Sequence, residues 1–181
     1  MSKLIVLNQS GQLANNLEDK DLLIAYLTGK FSFSEILEII AIPLIYASEE
    51  SLFDFADATN LLAKEMPNNF SILVKKIGYA NSLEILFSSN LITSQTAYHL
   101  RLINKICSLE EFNQQVSKIS KLSLSAIELA LNVSQKGIYL SNDRAEILER
   151  YAFALRFSHI DQKEGMQAFL EKRPPNFSSN K

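Results

Sequence analysis

Three short apolar runs near the start of the chain limit what it can fold into. LIVL (Leu4–Leu7), DLLIAYL (Asp21–Leu27) and IPLIYAS (Ile42–Ser48) are too short for core helices, and glycine-bearing or polar turns follow them. Short continuous apolar runs bounded by turns read as buried strands. Between the second and third, SFSEILEIIA (Ser32–Ala41) reads as one short helix. Strands alternating with helices predict an α/β arrangement with parallel pairing.

After Pro67 the signals become helical. Asn68–Gly78 reads as a helix start and a glycine stop. Ser108 and Glu111 have capping-box spacing ahead of Phe112, Val116 and Ile119 on one face. Asp161 and Glu164 repeat that logic before Met166, Phe169 and Leu170, and Pro174 is expected to stop the last helix. No repeat, low-complexity segment or linker interrupts the chain. The expected division is an α/β core over 1–106 and a helical subdomain over 107–181.

Composition narrows the function classes. At 181 residues and 47% hydrophobic content, the chain fits one domain with a real core. Its 18 basic and 20 acidic residues give a net charge of −2 with no basic run, which argues against a nucleic-acid or anionic-membrane partner. The single cysteine, Cys107, cannot form an intramolecular disulfide, and His99 and His159 stand apart, so no metal-ligand spacing is present. MSKLIVLNQSG has too short an apolar run for a signal peptide, and no stretch approaches the ~20 apolar residues of a membrane span. The expected compartment is the cytoplasm.

Four stretches together resemble the enoyl-CoA hydratase/isomerase (crotonase) superfamily. IGYANSLEILFSSNLITSQTAYHLRLINKI (Ile77–Ile106) is similar to its pattern of a glycine, a helix ending in a turn, then isAeeAl.lGLVn.V. EGMQAFLEKRPPNF (Glu164–Phe177) resembles the closing EG..AF.EKR.P.F helix, whose Glu171-Lys172-Arg173 exit exceeds what a bland helix end needs. YASEESLF (Tyr46–Phe53) resembles a strand and turn of the same fold, and LIVLNQSGQLANNLED (Leu4–Asp19) resembles, more weakly, its first strand and loop. The resemblance implies a shortened ββα spiral of crotonase type with a C-terminal helical subdomain, in the α/β class.

The family's chemistry stabilises the enolate of an acyl thioester. Two backbone N–H donors face the thioester oxygen, and one or two carboxylates move protons. By resemblance the first donor falls near Asn16, with Leu17 in place of a family glycine. The second falls at Ser34 in GKFSFSEILE, where Gly29 opens the turn and Phe33, Ser34 and Glu35 replace a glycine run. Leu37 stands where a hydratase has its first glutamate. Glu38 follows, rotated by about 100° if the segment is helical. Asp57 stands at the second acid, and Glu65 stands close to a glutamate used by some isomerase branches. Both are candidate catalytic residues, set against a reading of both as solvated loop carboxylates.

The resemblance therefore implies double-bond isomerisation, or related lyase chemistry, on a thioester of CoA or of a carrier protein. The alternative is a non-catalytic scaffold or acyl-CoA-binding subunit. CoA enters as part of the substrate, with no separate cofactor. The last helix implies that Phe169 and Lys172 meet the nucleotide, one by stacking and one as a point charge on phosphate. The bland reading puts Phe169 in the core and Lys172 in solvent. Family members form trimers or dimers of trimers. Apolar faces from Phe112–Ile119 through Leu148, Ala152 and Leu155 fit a homo-trimer or hexamer. Full members also carry far more chain where Asp19 here leads almost directly into DLLIAYL, and that extra chain walls the acyl pocket.

Overall fold

A computed structural model describes residues 5–7 (backbone only), 24–64 and 70–177. In chain order its elements are β1 (Ile5–Leu7), β2 (Ile24–Leu27), β3 (Lys30–Ser32), α1 (Phe33–Ile39), β4 (Leu44–Ala47), β5 (Leu52–Asp54), α2 (Ala58–Lys64) and α3 (Phe70–Ile77). There follow α4 (Tyr79–Ser88), β6 (Leu91–Thr93), α5 (Ser94–His99), β7 (Lys105–Ile106), α6 (Leu109–Ile119), α7 (Leu124–Gly137), α8 (Asn142–Arg156) and α9 (Ile160–Leu170). They fall into two compact units, Met1–Gln114 and Gln115–Lys181.

The first unit is mixed α/β. Its larger sheet has the order β1-β2-β4-β7, parallel throughout. Every residue of β2 is buried, as a strand covered on both faces requires. Strands β1, β2 and β4 fall within the three expected runs, and Ser32 caps the expected helix. A second sheet, β3-β5-β6, is parallel between β3 and β5 and antiparallel between β5 and β6. Its strands are three residues each, and each buries a single side chain, which is too little period to read from sequence. With β7, β6 corrects the expectation that the chain beyond Pro67 is nearly all helical.

Four buried rings join β3 to β5. Phe31 and Phe53 stack with centroids 6.0 Å apart, and Phe33 and Phe55 lie 5.6 Å apart, tilted. Burying such a ring stabilises by about 1.5–3 kcal/mol, more than the ~1 kcal/mol net of a backbone hydrogen bond. Elsewhere in the unit Phe112 is fully buried between Tyr26 and Tyr46, at 5.0 and 5.9 Å, which docks the start of α6 on the larger sheet. The expected capping box of α6 is formed: Glu111 N–H donates to Ser108 Oγ and Ser108 N–H to Glu111 Oε2. Asn104 both donates its N–H to Ile45 O and accepts Ile45 N–H on Oδ1, each at 2.7 Å. A side chain thus extends the β4–β7 ladder just before β7 begins.

In the second unit one buried carboxylate ties three helices together. Asp161, 8% exposed at the start of α9, accepts on Oδ2 from Ser123 Oγ (2.5 Å) and Ser125 Oγ (2.6 Å) at the start of α7. Arg156, at the end of α8, donates to the same two hydroxyls at 3.3 and 2.8 Å. The expected Asp161–Glu164 capping box does not start the helix, whose cap lies two residues earlier. His159 is the N-cap instead, its Nδ1 accepting Asp161 N–H at 3.2 Å.

The stop of α9 also differs from expectation. The helix ends at Leu170, before Pro174, in a Schellman motif with Lys172 left-handed at φ 54°. Lys172 N–H donates to Phe169 O at 3.2 Å and Arg173 N–H to Ala168 O at 3.0 Å. The same motif ends α5, with Arg101 at φ 63° and Leu102 N–H bonded to Ala97 O at 2.9 Å. A left-handed residue with a Cβ costs about 1–2 kcal/mol relative to glycine, and the Arg101 side chain is exposed. Arg101→Gly is therefore expected to stabilise the protein by about 1 kcal/mol, read as a higher urea midpoint at unchanged slope.

Candidate functional site

Ser32 both ends β3 and begins α1. Its backbone is extended, its Oγ accepts Glu35 N–H, and Glu35 Oε2 accepts from Ser32 N–H and Oγ at 2.8 Å each. This complete capping box decides where the side chains replacing the family's glycines go. Phe33, the first helical residue, turns into the core against Phe55. Glu35 folds back on Ser32. Ser34 remains at an exposed position. As a first-turn residue its N–H has no carbonyl one turn back, and it lies at the positive end of the helix dipole. Losing the glycines has therefore not put an aromatic ring over this donor. Leu37, at the place of a hydratase's first acid, is buried, and Glu38 is exposed.

Ser32 pairs in register with Asp54. Parallel strands end on the same side. Ser34 just beyond Ser32 and Asp57 just beyond Asp54 therefore emerge at one carboxyl edge, where open α/β sheets bind ligands. Asp57 is exposed between the fully buried Phe55 and Ala58, and its carbonyl accepts Leu61 N–H at 2.9 Å at the start of α2. Asp54 uses its two oxygens separately: Oδ1 accepts Ala56 N–H at 2.9 Å and Oδ2 meets Lys30 Nζ at 2.6 Å. The Lys30 ammonium, and next the Ala56 amide, hold the Asp54 carboxyl below its usual range. Nothing in the sequence singles out Lys30 or Asp54; only strand register brings them together.

Asn16 and Glu65, the other two candidates for this chemistry, lie outside the described residues. Among the described residues no three His, Cys, Asp or Glu side chains are grouped to hold a metal ion, and no helix is long and apolar enough to cross a membrane.

Phe169 and Lys172 belong to the second unit. Phe169 is 83% exposed, so the bland reading of it as core fails; α9 buries Ala168 instead. Lys172 is exposed one turn on, its N–H bonded to the Phe169 carbonyl. Six other residues of EGMQAFLEKRPPNF have a structural account: Glu164, Gly165, Glu171, Arg173, Asn176 and Phe177. Arg173 grips Glu164 with both Nη atoms, at 2.6 and 3.0 Å, and Glu171 through Nε at 2.6 Å. Asn176 N–H closes on the same Glu164 at 2.6 Å. A Cβ on Gly165 would sit 4.0 Å from the Phe177 ring. The exit folds back on its own helix, so the charged run that exceeded a bland helix end is largely a clasp.

Residues 39–180 match the enoyl-CoA hydratase/isomerase family. The chain belongs to this family. The crotonyl-CoA hydratase of Syntrophomonas wolfei is 38% identical over 111 residues, covering 59% of this chain and 43% of that protein. The mitochondrial enoyl-CoA hydratase of Pongo abelii is 29% identical over 140 residues, 74% of this chain and 47% of that one. An enoyl-CoA hydratase subunit from Geobacillus kaustophilus has a similar structure, with a TM-score of 0.76 at 28% identity over 94% of this chain and 69% of that chain. The chain thus spans less than half of these two curated relatives. Its fold is a shortened crotonase-type α/β fold with a helical C-terminal region.

The clasp makes stability depend on pH. Arg173, chiefly, and the Asn176 amide hold the Glu164 carboxyl down to about 2 from an ordinary 4.5. A depressed carboxyl stabilises the fold fully above its unfolded value and loses that contribution as pH falls toward the folded one. Thermal melts are expected to lose stability from about pH 5 down to about pH 2, and Glu164→Gln should flatten that dependence.

Proposed function

We propose that this chain acts on an acyl thioester, of CoA or of a carrier protein, by stabilising its enolate. The step proposed is double-bond isomerisation, or a related lyase reaction, rather than hydration. One observation carries this reading: the Ser34 amide and the Asp57 carboxylate share the carboxyl edge of β3 and β5, while Leu37 is in the core. In this scheme the Ser34 N–H, with a second donor near Asn16, takes the charge that develops on the thioester oxygen. Asp57 removes a proton from one carbon of the acyl chain and returns it to another. The double bond moves and no water is consumed. Hydration typically uses a second carboxylate to handle water, and a buried leucine occupies that place. Glu65 is the other candidate for the base. CoA is substrate, not cofactor, and Phe169 and Lys172 are proposed to hold its nucleotide end.

Titration of a short acyl-CoA and of free CoA tests the binding half. Lys172→Ala is expected to weaken both by about tenfold, the worth of one charged hydrogen bond. For the chemistry, Asp57→Ala should lower isomerase or lyase turnover by about 10²-fold or more. The same loss in Glu65→Ala, with Asp57→Ala active, would transfer the base role. A folded sample that binds neither ligand and turns over no thioester would leave the scaffold reading in possession.

We also propose a homo-trimer or hexamer built through the second unit. Its helix α8 exposes Tyr151 (70%), Phe153 (67%), Leu155 (69%) and Ile147, and Phe157 is exposed at its C-cap. Helices of that kind are ordinarily covered. Light scattering that returns only the 20.4 kDa monomer would contradict the proposal.

A further inference from the structure

We infer that Asp54 is a positioning residue for Asp57, and that Lys30 orients it. One ion pair then joins the strand leading to Ser34 with the turn carrying Asp57. The inference rests on the reading of Asp57 as the group that moves the proton.

The geometry assigns separate work to each oxygen of Asp54. Oδ1 accepts Ala56 N–H, closing an Asx turn over the two residues that lead from β5 to Asp57. Oδ2 meets Lys30 Nζ across the β3–β5 pair. The carboxylate cannot turn without giving up one partner. Asp57 needs that help, because its own carboxylate makes no hydrogen bond among the described residues. Its place is set by its neighbours in the chain: the buried Phe55 and Ala58 on either side, Ala58 N–H on Phe55 O at 3.0 Å, and the Asp54 turn.

Stability accounts for only a small part of what the pair can do. Lys30 is 59% exposed, and exposed ion pairs contribute little to folding. A small misplacement of a proton-transfer group, by contrast, can cost up to about a hundredfold in rate. The pair should therefore be felt more in turnover than in melting.

The test is steady-state kinetics of the full chain with a short enoyl-CoA, alongside thermal melts, for Asp54→Ala, Asp54→Asn and Lys30→Met. Asp54→Ala should lower kcat by about tenfold with KM nearly unchanged and only a small fall in melting temperature. Asp54→Asn keeps an acceptor for Ala56 N–H and should retain most of kcat, with Lys30→Met in between. Repeating Asp54→Ala in an Asp57→Asn background decides the route. If Asp54 acts through Asp57, it adds no further loss there. Equal losses in both backgrounds overturn the inference and leave Asp54 a merely structural residue. Absence of turnover by the unmodified protein instead overturns the functional reading of Asp57. Amide exchange at Ala56, read by NMR, then still judges Asp54: faster exchange in Asp54→Ala than in Asp54→Asn supports the turn-holding role, and equal rates overturn it.

Discussion

A three-residue strand makes too few hydrogen bonds to choose its own register, and β3 and β5 have theirs chosen by Phe31, Phe33, Phe53 and Phe55. Slipping either strand by one residue would turn its rings out of the core, at a cost of several times RT per ring. The same slip would part Ser32 from Asp54, Lys30 from Asp54, and the Ser34 amide from the Asp57 turn. Core packing and site geometry are thus one constraint here. Phe33, which by resemblance stands where the family has a glycine, is one of these core rings.

Such a replacement looks damaging on paper because a side chain near a backbone donor fills the space a ligand needs. The capping box removes most of that objection. It rotates Phe33 inward and draws Glu35 back onto Ser32, and Ser34 remains exposed. What the chain has given up is different. Leu37 lies in the core, and no one-residue shift brings Glu38 into its direction, because adjacent helical residues point about 100° apart. In the proposed scheme, one amide donor with one acid suits proton shuttling better than addition of water.

The second unit shows how a family motif can mix two kinds of work. In EGMQAFLEKRPPNF, Glu164, Gly165, Arg173 and Phe177 fold the exit onto its own helix. Phe169 and Lys172 take no part in that clasp and remain exposed. Clasp residues and exposed residues lie in one stretch of chain, so the motif reads as a single signal although only part of it has a structural role. Asp161 is similar: its spacing to Glu164 suits a cap, but the cap is His159, and Asp161 accepts from the hydroxyls of Ser123 and Ser125.

The strands β1, β2 and β4, the capped helix after Ser32, the Ser108–Glu111 box and the family itself were determined by residue order alone. Burial on two faces, burial on one face and local capping all leave a short-range pattern that composition along the chain preserves. Tertiary structure decided the second sheet, the inward turn of Phe33, the buried Asp161 cluster, the left-handed stops at Arg101 and Lys172, and the Lys30–Asp54 pair. Each depends on which distant residue arrives alongside. Strands of three residues carry one buried side chain and no period, so their partners are chosen only when the rings of β3 and β5 pack.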